Sequence, residues 1–144
     1  MVESLLLDHL QTVLDYRFNS KPLLVGGGAM EYYGLRSKGE DTDFIIHKED
    51  YQALASKYPY SLRDIFSDLG VVKDGFELWR TIMLFDYDHL SVDAVKFNGL
   101  LVVSLEKLLL LKALGISESK YEADLRLIVK KIIDNQYRDY KKNE

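Results

Sequence analysis

Asp41 and Asp43 stand two apart at the mouth of an apolar run, Phe44-Ile45-Ile46. If that run is a strand, both side chains project to one side. Two carboxylates that close repel each other unless a cation lies between them or one takes a proton. Such oxygen ligands suit Mg²⁺, which uses one or two carboxylates and leaves its other positions to water and phosphate; Mn²⁺ is the alternative. Asp93 sits between Val92 and Ala94 in a second strand-like run, where an unpaired buried carboxylate would be costly. On a neighbouring strand it would complete a two-metal centre, one ion activating an attacking hydroxyl and the other steadying a leaving phosphate. Val25-Gly26-Gly27-Gly28 lies between an apolar run and a helical segment. A glycine-led helix N-terminus offers free N–H groups to a phosphate and lets it approach the backbone.

Each piece also has an ordinary reading. The glycines make a tight strand-to-helix turn, Asp-x-Asp is common in turns and caps, and Asp93 could pair with Lys96 or Arg80. The glycines are not a dinucleotide fingerprint, because Glu31 stands where the third glycine belongs, nor a P-loop, because no Gly-Lys-Ser/Thr follows. Asp41 does not open an EF-hand loop, since Ile46 takes the required Gly position. Asp86-Tyr87-Asp88 reads as a turn, and His47 and His89 as surface residues. The conjunction of glycines, helix, Asp-x-Asp at a strand and a later Asp points to metal-dependent phosphoryl or nucleotidyl transfer.

The elements that must position these residues follow from hydrophobic spacing. Leu5, Leu6, Leu10, Val13 and Leu14 recur at helical intervals, with Ser4 as N-cap. Leu23 to Val25 reads as a buried strand and Ala29 to Tyr33 as a helix stopped by Gly34. Lys48 to Lys57 reads as a helix that ends before Pro59, and Ser61 to Leu69 as a short helix. Thr81 to Phe85 and Leu90 to Phe97 read as strands joined by a turn over residues 86–89, and Leu100 to Val103 as a further short strand. Ser104 precedes a Leu-rich helix closing near Gly115. A last helix opens at Ser117, with Tyr121, Leu125, Ile128, Val129 and Ile132 as its stripe. The expected class is α+β, a small mixed sheet covered by helices, in one domain with a core over about 22–103 and helices over about 104–136.

Length and composition agree. A chain of 144 residues, 47% hydrophobic, can bury one real core and leaves no room for a separate substrate domain. No cysteine is present, which excludes disulfides and thiolate metal sites. A net charge of −4 argues against a broad nucleic-acid face. No apolar run spans a membrane and no signal peptide is seen, so a cytoplasmic chain is expected. Leu108 to Leu111 are apolar around the helix and would suit a homodimer or partner protein.

The segment Val25-Gly-Gly-Gly-Ala-Met-Glu-Tyr-Tyr-Gly-Leu-Arg36, then Asp41-Thr-Asp-Phe-Ile-Ile46 and Asp93, resembles the signature of the DNA-polymerase-β-like nucleotidyltransferase superfamily. It is most similar to the small bacterial branch of abortive-infection toxin and antibiotic nucleotidyltransferases. Val103-Ser-Leu-Glu-Lys-Leu-Leu-Leu-Leu-Lys112, Lys120 and Asp124-Leu125 resemble the stretch that follows the core there, so the likeness covers roughly residues 22–133. The resemblance implies a nucleotidyltransferase-like fold. It implies that Gly26 and Gly27 hold the triphosphate of an NTP, with Arg36 and Lys112 (or Lys120) as further nucleotide contacts. Asp41, Asp43 and Asp93 would bind Mg²⁺, and Asp93 would assist deprotonation of an acceptor hydroxyl. Gly39 departs from the pattern, since relatives often carry Thr or Ser there; Ser37 is the nearest hydroxyl. The rival expectation is a non-catalytic nucleotide-binding or antitoxin-like module that keeps the fold.

Overall fold

The structure, a computed structural model, describes residues 5–142. Ser4, the expected N-cap of the first helix, lies outside the described residues. The chain divides into two compact units, Met1–Ser104 and Leu105–Glu144.

The first unit is built on a seven-stranded mixed sheet, so the α+β expectation holds and the sheet is larger than foreseen. Helix α1 (Leu5–Leu14) leads into strand β1 (Leu23–Leu24), helix α2 (Gly26–Tyr32), strand β2 (Thr42–Ile45) and helix α3 (Lys48–Lys57). These elements follow the apolar spacing with shifted ends: α2 starts inside the glycines, and β2 starts at Thr42 rather than Phe44. Strands β3 (Leu62–Ile65), β4 (Asp68–Lys73) and β5 (Phe76–Trp79) come next, then a separate hairpin, β6 (Thr81–Ile82) and β7 (Phe85–Asp86). A one-turn helix α4 (Tyr87–Leu90) precedes β8 (Val95–Phe97) and β9 (Leu100–Val102). The sheet order is β3-β4-β5-β2-β1-β9-β8. Strand β2 runs parallel to β5 and antiparallel to β1, and β1 runs parallel to β9.

Three expectations are corrected. Ser61 to Leu69 is not a helix: Leu62 to Ile65 pairs antiparallel with Asp68 to Val71. Thr81 to Phe85 does not pair with Leu90 to Phe97; its two halves fold on each other around Met83-Leu84. Asp93 is not in a strand. It lies in an exposed turn before β8 with φ 61, a left-handed value that few non-glycine residues adopt.

Hairpin chemistry explains the first two. Turns at Asp74-Gly75 and Asn98-Gly99 place both central residues at positive φ, as two-residue hairpins require. Phe66-Ser67 and Met83-Leu84 adopt the same backbone without glycine. Side-chain acceptors hold them there. Ser67 N donates to Asp64 Oδ1 at 2.8 Å, and Met83 N and Leu84 N donate to the Asp68 carboxylate at 2.8 and 2.9 Å.

The core of this unit gathers Leu24, Phe44, Val71, Leu78 and Val102, all at most 2% exposed. Alternation along β2 puts Phe44 on that side and Asp43 on the other. Buried Asp50, in the first turn of α3, accepts from Tyr16 Oη at 2.6 Å, Asn19 N at 3.0 Å and Ser20 N at 3.1 Å. It ties the connection after α1 to α3.

The second unit is a helical pair, α5 (Leu105–Leu114) and α6 (Ser119–Lys142). Helix α6 begins two residues later than expected, and its Val129 is 40% exposed while Ile128 is buried. Leu108 and Leu111 are buried within the chain. Among the described residues no helix is long and apolar enough to cross a membrane.

Candidate functional site

The three aspartates named from the sequence occupy very different settings. Asp43 is in the middle of β2, half-buried, with Oδ1 shielded from solvent. Asp41 is exposed one residue before the strand, and Thr42 N donates to Gly75 O at 2.9 Å to fix the entry. Asp93 precedes β8, which is three places from β2 in the sheet. Three strand spacings are about 14 Å, far beyond the reach of one shared ion. Among the described residues no three His, Asp or Glu side chains gather closely enough to hold a metal ion. The three-aspartate centre is therefore not assembled.

The glycines do reach Asp43. Val25 N donates to Asp43 O at 3.0 Å, which registers the end of β1 against β2. Gly26 follows at φ +57, and a Cβ added there would lie 3.0 Å from Asp43 Oδ2. Any other residue would meet left-handed strain and this carboxylate together. The N–H groups of Gly26, Gly27 and Gly28 belong to the first turn of α2, where no intrahelical acceptor exists. A Cβ at Gly27 would lie 3.4 Å from Gly39 N and 3.5 Å from Lys38 Cα. The position lacking the expected hydroxyl, Gly39, thus lies beside the glycine turn.

Register brings in a carboxylate that the sequence reading passed over. Asp43 pairs with Glu77 across the parallel strands β2 and β5. In-register neighbours point to the same face, about 4.8 Å apart at the backbone. Glu77 is half-buried, and its Oε1 accepts from Trp79 Nε1 at 3.2 Å. Trp79 is itself seated over Gly70, whose added Cβ would come within 2.5 Å of the indole. The signal for Glu77 was available: an acid between Phe76 and Leu78, the same pattern that had drawn attention to Asp93. Its partner strand was not.

The remaining candidates sit as follows. Arg36 is exposed in the loop before Asp41 and donates to Ser37 O at 2.9 Å. Lys112 is buried in the second unit. Its ammonium is 2.9 Å from Asp124 Oδ2 and 4.4 Å from the Tyr121 ring centre. That arrangement accounts for both Lys112 and Asp124 as a structural ion pair. Asp86 accepts from His89 N at 3.0 Å and caps α4, so residues 86–89 open a short helix where a hairpin turn is expected from the sequence.

Two carboxylates with phosphate oxygens completing the shell is the usual habit of Mg²⁺, and Asp43 and Glu77 are the in-register acids of that chemistry here. Asp41, Asp43 and Asp93 do not form an all-protein triad. No protein-family model, curated protein or solved structure matches the chain.

Proposed function

We propose that the chain is a divalent-cation-dependent nucleotidyltransferase that moves a nucleoside monophosphate from an NTP to an acceptor hydroxyl, releasing pyrophosphate. The observation that carries this reading is the meeting of three features at one point: the glycine turn, the Asp43 carboxylate against it, and Glu77 in register beside Asp43. An anion bound at the glycine N–H groups would lie next to a carboxylate pair, an arrangement that a cation must bridge.

Asp43 and Asp41 supply carboxylate oxygens for the cation, and Glu77 replaces Asp93 as the acid of the neighbouring strand. When bound, Mg²⁺ supplies charge neutralisation on the phosphates and favours ionisation of the acceptor hydroxyl. Gly26 and Gly27 orient the phosphates through backbone N–H groups. Trp79 holds the Glu77 carboxylate in place. Positioning and charge stabilisation carry most of such a reaction.

The second reading is a nucleotide-binding module without transfer, favoured by the absence, among the described residues, of three acidic or histidine side chains gathered closely enough to hold a metal ion. Incubation with each labelled NTP and Mg²⁺, together with calorimetry, separates the two. The enzyme transfers label, and Asp43→Asn and Glu77→Gln sharply reduce it. The module binds NTP and transfers nothing. Label transfer undiminished in Asp43→Asn would refute the proposal.

A further inference from the structure

The parallel strands β2 and β5 end side by side: Ile46 N donates to Trp79 O at 2.9 Å, and His47 and Arg80 are the next residues out. A cleft of about 210 Å³ opens beyond them, at the opposite end of β2 from Asp41. His47 is four residues on from Asp43, roughly 13 Å of extended chain, so this cleft is separate from the glycine turn. Ligands commonly bind beyond the carboxyl ends of parallel strands.

Its lining carries both charges. Lys48 and Arg80 line it, and among the described residues neither side chain makes an ion pair. Asp86 and Asp88 line it too. Tyr87, between them in the chain, also lines the cleft. Its hydroxyl donates to Lys21 O at 2.7 Å, and its ring stands edge-on to His47 at 5.8 Å. His47 Nδ1 accepts from Glu49 N at 3.3 Å, so a neutral imidazole carries its proton on Nε2 as a donor.

We infer that this cleft binds a small sugar phosphate, with the phosphate on Lys48 and Arg80, the hydroxyls on Asp86 and Asp88, and the carbon skeleton against Tyr87. Cations and an N–H donor are what a phosphate requires. Carboxylates accept from hydroxyls and repel additional phosphates, which disfavours a polyphosphate or a nucleic-acid backbone. The volume lies below the range of about 300–1,000 Å³ typical of drug-sized sites, which favours a small ligand.

Calorimetry on the full chain with ribose 5-phosphate, ribose and inorganic phosphate tests this. Ribose 5-phosphate should bind more tightly than either fragment. Lys48→Gln and Arg80→Gln should each weaken it about tenfold, the loss expected for one charge-assisted contact. Asp88→Asn should weaken ribose 5-phosphate and leave inorganic phosphate unchanged. Asp43→Asn should change neither, whatever becomes of the nucleotide chemistry. All three cleft side chains are exposed, so the variants should keep the wild-type circular dichroism. No heat with ribose 5-phosphate up to about 10 mM would overturn the assignment. So would inorganic phosphate binding as tightly as the sugar phosphate, full affinity in the Lys48→Gln/Arg80→Gln double variant, or loss of binding in Asp43→Asn.

Discussion

Asp50 and Asp43 are both drawn into the first unit away from bulk water, and their surroundings differ in kind. Asp50 is fully buried and collects a phenol and two backbone N–H groups from one connection. Its charge is spent on holding α1 to α3. Asp43 lies against a glycine that leaves room beside its carboxylate, with a second acid in register. Packing around Asp50 answers a fold's demand, while strand pairing at Asp43 sets an in-register acid and a glycine turn beside it. The first arrangement ties one connection to a helix, and the second sets acids and backbone N–H groups at one place.

The sharpest way to break this contrast is to neutralise each acid. Asp43→Asn should reduce nucleotidyl transfer by about 10² to 10³-fold, the scale of losing one charge-stabilising group. Its thermal midpoint should stay close to wild type. Asp50→Ala should do the reverse, costing about 3 to 5 kcal/mol in urea unfolding because three donors lose a buried charged acceptor. If Asp43→Asn unfolds the chain as readily as Asp50→Ala does, the two sites are of one kind.

Lys112 and Asp124 extend the structural side of the comparison into the second unit. Lys112→Met should cost about 3 kcal/mol by removing the ammonium from beside a buried carboxylate. The double variant Lys112→Met/Asp124→Leu should recover more than half of that, read by the same unfolding curves. A smaller effect tests the support behind Glu77. Gly70→Ala pushes a methyl into the Trp79 ring and should cost about 1 to 3 kcal/mol. Trp79 is the one tryptophan in the chain, so its emission should shift with the same substitution.

The smallest effect is in alkali. Burial, and then the hydrogen bond to Asp50, raise the Tyr16 phenol well above its ordinary range, and burial raises Tyr51 and Tyr87 as well. Below about pH 10 these phenols are protonated whether the chain is folded or not. Above it the unfolded phenols ionise while the folded ones keep their protons, so stability falls as pH rises. Tyr16→Phe should lose about 1 kcal/mol at neutral pH, and its stability should decline less steeply above pH 10.

Local pattern and tertiary role coincide over much of the chain. Helices over Leu5–Leu14 and Lys48–Lys57, the strands around Leu23 and Phe44, and the Leu-rich helix after Ser104 all follow apolar spacing. Between residues 58 and 97 they part. Phe66-Ser67 and Met83-Leu84 turn without glycine because aspartates from nearby positions trap their N–H groups. A bulky residue at positive φ carries no local signal. Local pattern alone makes the first of these strand pairs a helix and the second a single longer strand.

The residues themselves raise the class of chemistry to test: glycines after a strand give a close-approach turn, and acids two apart stand at the mouth of another strand. Which third acid stands beside that pair was beyond them. Asp93 and Glu77 look alike in sequence, each an acid between apolar neighbours. Pairing of β5 with β2 brings Glu77 into register with Asp43, and the left-handed turn at Asp93 leaves that residue at the far edge. Strand neighbours are chosen by long-range burial and backbone pairing, and those energies depend on the whole sheet rather than on any short stretch of chain.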